Sequence, residues 1–461
     1  MIRCWILVNK EYRAGRYIKI SVLTLPLGVI LLTIGPKVYF VSSFNLRKHM
    51  MEINLVKELL NAGIKTFENQ DNNTKIIHLN KVIKAENKNV NALFYRGKAY
   101  AELGKYKEAI KDLSKAIDID PEQEDLYLHR GFIYQESGKD KKALADYTAS
   151  VEKNASFAKG FMIRGLFYDS LNKQDEAIAD FSRAILLEPK NYQALKLRGV
   201  SNYKLEKYSD SLEDLNKAIF INPMDCYSYF HRGYVHNALS SFTKAIDDFD
   251  SAIFLNTSFE DAYGRRGTIY AQLSEHTKAV LDFTSVIELN FKNINAFRNR
   301  GFSHCILKDY WRAAADFTKA IKLDPKDVIA YFGRGCTYSE WKKYPDSIAD
   351  YTSVIELDPE NVEAYNNRGI VYGELKKYSK AIDDYTKAIE MDPENVAAYL
   401  IRGTTFRDLR EYPKAIADLT KGINLFPEFA PPYITRGEVY KALGKTKEAN
   451  ADFAKAKELE K

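Results

Sequence analysis

Eleven arginines keep one spacing along this 461-residue chain: Arg96, Arg130, Arg164, Arg198, Arg232, Arg266, Arg300, Arg334, Arg368, Arg402 and Arg436, each followed by Gly. Sixteen residues beyond each stands an aspartate, in a series running from Asp112 and Asp146 to Asp384, Asp418 and Asp452. A guanidinium and a carboxylate at fixed separation form bidentate, charge-assisted hydrogen bonds. The chemistry this predicts is structural: one ion pair per unit, Arg368 with Asp384 in the cleanest copy, locking two neighbouring elements in register. The competing reading is a solvated face, where such pairs contribute ~0–1 kcal/mol.

Side chains arranged for catalysis are missing. The chain has no G-x-x-x-x-G-K-[ST], no G-x-G-x-x-G after a strand, no G-x-S-x-G and no H-E-x-x-H. His231 and His236 are five residues apart, off a common helical face. Cys4, Cys226, Cys305 and Cys336 form no Cys-x-x-Cys, so no zinc site is expected. Cys305 and Cys336 read as buried thiols or, were the chain exported, as a disulfide. The expectation is a non-enzyme with no cofactor and no metal.

The elements that place these residues are legible in Val362 to Asn395, the most regular copy of a 34-residue unit that recurs without gaps from about residue 90. Ala364, Tyr365, Arg368, Gly369, Tyr372 and Leu375 recur at three- and four-residue steps, which predicts an amphipathic helix. Ala381, Ile382, Tyr385, Ala388 and Ile389 form the stripe of a second helix. The polar link Lys376 to Ser379 is short enough to demand an antiparallel hairpin, and Asp392-Pro393 ends the second helix. Position 8 of the unit is Gly in all eleven copies and position 20 is Ala or Ser. Glycine inside a helix costs ~1 kcal/mol relative to alanine, so a close approach of the two helices is the expected reason. The bulky residue at position 24, such as Phe181 or Tyr385, would fill the space beside it. A lone hairpin cannot bury its apolar face, whereas stacked copies can.

Gly, Tyr, Ala, an aromatic, Ala and Pro at positions 8, 11, 20, 24, 27 and 32 resemble the tetratricopeptide repeat. Departures are Asn202, His236 and His304 at position 11, and Ala155, Thr257 and Phe291 in place of the proline. The resemblance implies an all-α fold, a right-handed α-solenoid of antiparallel helix pairs. It further implies that the first helix of each unit lines a groove through positions 2, 5, 6, 9, 12 and 13. On this chain the middle of that groove would present Tyr203, Phe230, His231, Tyr234, Asn237, Arg265, Arg298, Asn299, Phe302 and Phe332. Towards the N-terminus it would present Phe94, Tyr95, His129 and Phe132. Aromatic residues and Arg are enriched where binding energy concentrates. The function implied is a non-catalytic scaffold that grips peptide or protein segments of some acidic character. The family's Lys/Asn/Arg clamp for a terminal carboxylate is not matched, since Lys196 is followed by Val200 where Asn is wanted. An accessory subunit of an enzyme complex, in envelope biogenesis or secretion, is the alternative. RNA binding by helical repeats is third, opposed by a net charge of only +6 with 28% charged residues. No nucleic-acid partner is expected, and the oligomeric state is not legible.

The first 49 residues are different in kind. Ile20 to Pro36 carries no charge, and apolar residues continue to Phe44, interrupted by Lys37. Seventeen residues sit at the lower edge of the ~17–25 that span a bilayer as a helix. Arg3, Lys10, Arg13, Arg16 and Lys19 precede the stretch, placing the N-terminus on the cytoplasmic side. The reading is a transmembrane-helix anchor at residues 20–44. A cleaved signal, or a segment that does not insert with Met50-Met51 nearer the working start and a soluble cytoplasmic chain, are the alternatives. Residues 50–89 read as a linker and a degenerate twelfth repeat with Gly63, Leu79 and Val82 in place. Residues 90–461 hold the eleven regular ones.

Overall fold

The computed structural model describes residues 71–460, together with three backbone strands nearer the N-terminus. Between residues 71 and 460 it contains twenty-three α-helices. The first, α1 (Asn72–Ala85), is the second helix of the degenerate repeat, with Leu79 and Val82 fully buried. The first helix of that repeat, with Gly63, lies outside the described residues. Eleven hairpins follow, each a 13-residue helix and a 14-residue helix, from Val90–Glu102 with Tyr106–Ile119 to Ala430–Ala442 with Thr446–Leu459.

The chain forms two compact units, Met1–Ile221 and Asn222–Lys461. Inside each unit the two helices of a repeat pack on one another and second helices pack on the first helix of the next repeat. Core residues lie at those two seams. Tyr385, Phe317, Phe249 and Phe181, all at position 24, are almost wholly buried. A Cβ on Gly369 would stand 2.5 Å from the Tyr385 ring, and one on Gly165 would stand 2.7 Å from the Phe181 ring. The invariant glycine therefore exists because the bulky residue at position 24, a ring in eight copies and Leu113, Leu215 or Leu419 in the other three, lies against its helix.

Every hairpin turns through one residue in the left-handed region. It is Gly in three repeats (Gly104, Gly138 and Gly444), but Asn172, Glu206, Ser240, Ser274, Lys308, Lys342, Lys376 and Arg410 in the others. Around Lys376 the amide of Lys377 donates to the Tyr372 carbonyl and the amide of Lys376 to that of Gly373, both at 2.8 Å. These two bonds close the helix as a Schellman motif. Lys376 opens the polar link between the helices, and its φ of 56° makes it a strained position.

The aspartate series pairs as a set. All eleven arginines meet their aspartates at closest N–O distances of 2.6 to 2.8 Å. Arg368 Nε and Nη2 donate to the two carboxylate oxygens of Asp384 at 2.9 and 2.8 Å. Its remaining nitrogen, Nη1, donates at 3.0 Å to Thr352 Oγ1 in the preceding repeat. The same outward bond recurs at Arg130 to Ser114, Arg300 to Thr284, Arg334 to Thr318, Arg402 to Thr386 and Arg436 to Thr420. Arg96 uses Asn80 there, and Arg266 uses Asp250. Rings enclose the guanidinium: Arg436 lies 5.9 Å from the Tyr433 ring centre and 5.8 Å from that of Tyr440. Each of these arginines thus ties its own hairpin together and fastens it to the one before, whereas Arg164 is bonded only to its own Asp180.

At two of the places where position 11 departs from Tyr, the substitute turns toward the aspartate. Asn202 Nδ2 donates to Asp214 Oδ2 at 3.3 Å, and His236 Nε2 lies 3.9 Å from Asp248 Oδ2. His304 is buried. Burial pushes the imidazoles of His129, His236 and His304 below their ordinary value, outweighing the nearby carboxylates.

The N-terminal apolar stretch corrects the sequence reading. Ile20–Thr24 (β1), Val29–Ile34 (β2) and Lys37–Ser42 (β3) form an antiparallel meander, with Ile20 opposite Ile34 and Val29 opposite Ser42. These described residues are strand rather than the expected helix. An apolar run of this length is ambiguous between helix and strand. Pro26, Gly28, Gly35 and Pro36 all fall between the strands, where breakers belong. Among the described residues no helix is long and apolar enough to cross a membrane.

Three outcomes are expected from denaturation. Asp384→Ala strands a half-buried guanidinium and should cost about 3 kcal/mol, whereas Thr352→Val removes one neutral acceptor and should cost about 1 kcal/mol. Equal losses in urea titrations would contradict the bidentate pair as the stronger tie. Gly369→Ala should destabilise by about 1–2 kcal/mol despite alanine's better helix propensity, while Lys376→Gly should stabilise by about 1 kcal/mol. The third concerns pH. His236 and His304 have folded values below the unfolded one, so their contribution is complete above about pH 6.5 and declines as pH falls below it. His236→Tyr with His304→Tyr should flatten the fall in melting temperature on acidification; an unchanged pH profile would count against it.

Candidate interaction surface

The face made by the first helices carries the sequence candidates, and the structure separates them into groups. Tyr203 belongs to the first unit, half-buried, with its ring 5.9 Å from that of Tyr208. The remaining nine lie in the second unit, where three prove to be committed to the scaffold. Phe230 is a correction: only 7% exposed, it sits in a core cluster with Phe249 and Phe259, the latter ring 4.5 Å away. Phe259 occupies the place where neighbouring repeats carry a capping Asn or Asp, and it turns inward to meet Phe230. Arg298 is also engaged, pairing with Asp327 at 3.1 Å and donating to Asn295. Phe332 packs half-buried on the buried Tyr351, ring centres 5.7 Å apart.

What remains is assembled around helices Glu260–Gln272 (α12) and Ile294–Ile306 (α14). The exposed Arg265 guanidinium lies 4.9 Å from the ring centre of Tyr234, a cation–π contact that holds it upright over the face. His231 lies beside Phe230, ring centres 5.6 Å apart. The Asn237 amide oxygen is buried without a hydrogen-bond donor. Asn299 stands between two adjoining cavities. One, of about 220 Å³, is polar, with Glu260, Asp261, Arg265, Thr268, Asn293 and Asn295 around Asn299. The other, of about 290 Å³, is mainly apolar, with Phe302, Ile306, Ala271 and Phe283 as its walls and the His276 ring at its edge. Thr268, Phe283 and Asn299 line both, so a bound chain passing from one to the other meets an amide and then a phenyl ring.

Sequence reasoning missed Thr268, Gln272, Asn295 and His276. The first three occupy positions 9, 13 and 2 of their repeats, so their places marked them while their residue types did not. His276 opens a second helix, and no positional rule pointed to it. Glu260 is partly occupied, accepting from Asn293 Nδ2 at 2.6 Å and Asn290 Nδ2 at 3.1 Å.

The thiols offer no chemistry. Cys305 and Cys336 form no disulfide, and Cys4 lies outside the described residues. Burial pushes the Cys305 and Cys336 thiols up, and Tyr351 hydroxyl lies 3.3 Å from Cys336 Sγ. Both stay protonated, which suits packing and disfavours nucleophilic attack.

Comparison with known proteins places the repeats. Sequence models described as tetratricopeptide or TPR repeats match residues 97–138, 165–225, 260–293, 317–349, 340–376, 362–395 and 430–461. No curated protein matches the chain. Similar solved structures include yeast Tom70, at 20% identity over 81% of this chain and 92% of that one, TM-score 0.39. YrrB, described as a TPR protein with an unusual peptide-binding site, is 24% identical over 41% of this chain and 96% of its own, TM-score 0.37. The APC/C hetero-tetramer Cut9-Hcn1 gives 14% identity over 82% of this chain and 95% of the matched one, TM-score 0.39. With an Arg–Gly mark, a bulky side chain against the glycine and a helical hairpin every thirty-four residues, this chain belongs to the tetratricopeptide repeat family.

Proposed function

We propose that the chain is a non-catalytic interaction scaffold whose second unit holds an extended peptide segment across helices α12 and α14. The observation that carries this reading is the junction of a polar and an apolar cavity at Asn299, beneath an exposed Arg265 stacked on Tyr234. An amide side chain on such a face can exchange hydrogen bonds with a peptide backbone, and Phe302 with Ile306 offers an apolar seat in the adjoining cavity. Arg265 supplies charge for a carboxylate of the ligand. The polar chamber contributes orientation and the apolar one affinity, the usual division of labour in small sites. The ligand's acidic character follows from Arg265 alone, because Arg298 is neutralised by Asp327.

The experiment is selection of peptides from a displayed library on the full chain, followed by affinity measurement on variants. Arg265→Ala and Phe302→Ala should each weaken the selected peptides by about tenfold or more, with melting temperature unchanged. Peptides that bind both variants as tightly as the parent would place the site elsewhere.

A further inference from the structure

The hairpin turns of the second unit form an edge where exposed apolar side chains stand among cations. Between helices Ile294–Ile306 and Tyr310–Leu323, Leu307 is 45% and Trp311 62% exposed. The next turn holds Trp341, stacked on Tyr338 with ring centres 6.4 Å apart and with Lys343 Nζ 3.5 Å from its own ring centre. Exposed cations gather on three consecutive turns: Lys308 and Arg312, then Lys342 and Lys343, then Lys376, Lys377 and Lys380. The carboxylates among them are Asp309, which Arg312 holds at 2.7 Å, with Glu340, Asp346 and Glu374. A Trp this exposed contributes little to the core, and apolar side chains rimmed by charge mark a surface built for contact.

The other edge of the same hairpins has the opposite sign. It lies at the far end of each 14-residue second helix, about 20 Å away, where one repeat hands over to the next. Glu356, Asp358, Glu360 and Glu363 surround the loop after Tyr344–Leu357, and Glu390, Asp392 and Glu394 surround the loop after Tyr378–Met391. Lys387 offsets one of them, bonding Glu390 at 3.2 Å. Apolar side chains are exposed here too: Leu357 at 39% and, one loop further on, Phe426 at 52%. Turn against turn, or loop against loop, would bring like charges together, whereas turn against loop is complementary.

We propose that the turn edge of the second unit docks on the loop edge of a second copy of this chain, its lysines meeting the Glu356–Glu363 and Glu390–Glu394 carboxylates while Trp311 and Trp341 supply apolar contact. The two edges lie at opposite ends of the same helices, so a copy held by one edge keeps the other free. Association is therefore head-to-tail and continues beyond a pair. Copies joined in this way present several inner faces at once, which raises avidity without any new ligand contact.

The test is sedimentation velocity of the full chain over a range of concentrations, at low salt and at about 0.5 M salt. Average mass should rise with concentration at low salt, past that of a dimer, and drop back when salt is added. Lys343→Glu with Lys377→Glu and Lys380→Glu reverses the turn edge, and Glu356→Lys with Glu360→Lys and Glu394→Lys reverses the loop edge. Each replacement is a residue that other repeats already carry at the same position: Glu275 and Glu411, Glu176, Lys322, and Lys292 and Lys326. The fold should therefore tolerate them, and thermal melts check that it does. Either triple variant alone should self-associate about tenfold or more weakly than the parent. An equal mixture of the two should associate again, because each supplies the sign that the other has lost. Trp311→Ser gives a probe of the apolar contact that leaves the charges in place, and it too should weaken association. The proposal is overturned if the parent stays monomeric, if it stops at a dimer, if either triple variant assembles as the parent does, or if the mixture fails to recover. It is also overturned if the turn edge binds phosphatidylserine vesicles in preference to a second copy. Peptides selected through Arg265 and Phe302 should bind both triple variants unchanged, so this reading and the peptide site fail independently.

Discussion

One guanidinium per repeat holds this architecture together. In each copy a planar, permanently charged group is clasped by a carboxylate from its own second helix, and in most copies it also reaches back to a polar acceptor of the repeat before. Two of its edges then satisfy two different seams, and at Arg436 aromatic residues three positions earlier and four later shield its faces. Neither a lysine nor a lone surface pair could do this, because only the five-donor fork reaches two partners at once. Burial makes the arrangement demanding. A half-desolvated arginine is tolerated only while its partners are present, so the motif enforces register as well as adding stability. A stack of hairpins gains most from such a device, since each repeat relies on nearest neighbours alone.

Much of the fold was legible because the physics repeats. Eleven copies act as an internal alignment, and residues such as Gly369, Ala381 and Tyr385 declare a close helix crossing by type and place together. The features that escaped are those whose residue type varies while their geometry does not. The backward acceptor is Asn80, Ser114, Asp250 or Thr352, which together read as ordinary polar surface. The hairpin residue is Gly in three repeats and Lys, Ser, Glu or Asn in most of the others, so its left-handed backbone left no single-residue signature. Residues 20–44 failed for another reason. Apolar length alone suggested a membrane helix, whereas the breakers Pro26, Gly28, Gly35 and Pro36 divide that stretch into three strands.

The candidate surface was legible by position and less so by chemistry. Phe230 and Phe302 look equivalent in sequence, yet one is sealed by Phe259 and the other stands at a cavity rim. Arg265 and Arg298 likewise diverge, because Asp327 is in reach of only the second. Whether an inward residue is free to meet a partner is decided by what the adjacent repeat places beside it, and that is a three-dimensional fact. The same logic gives the two units different faces on a common frame. The shared residues build the hairpins, and the unshared ones differ: lysines with aliphatic floors in one unit, amides with rings in the other.

The most direct test of the arginine's double role is hydrogen exchange on Arg368→Lys. A lysine keeps the charge but cannot span both partners, so amides should lose protection in two places: the repeat's own second helix, Tyr378–Met391, and the preceding one, Tyr344–Leu357. Faster exchange confined to Tyr378–Met391, or none in either helix, would show that the arginine does not couple neighbouring repeats.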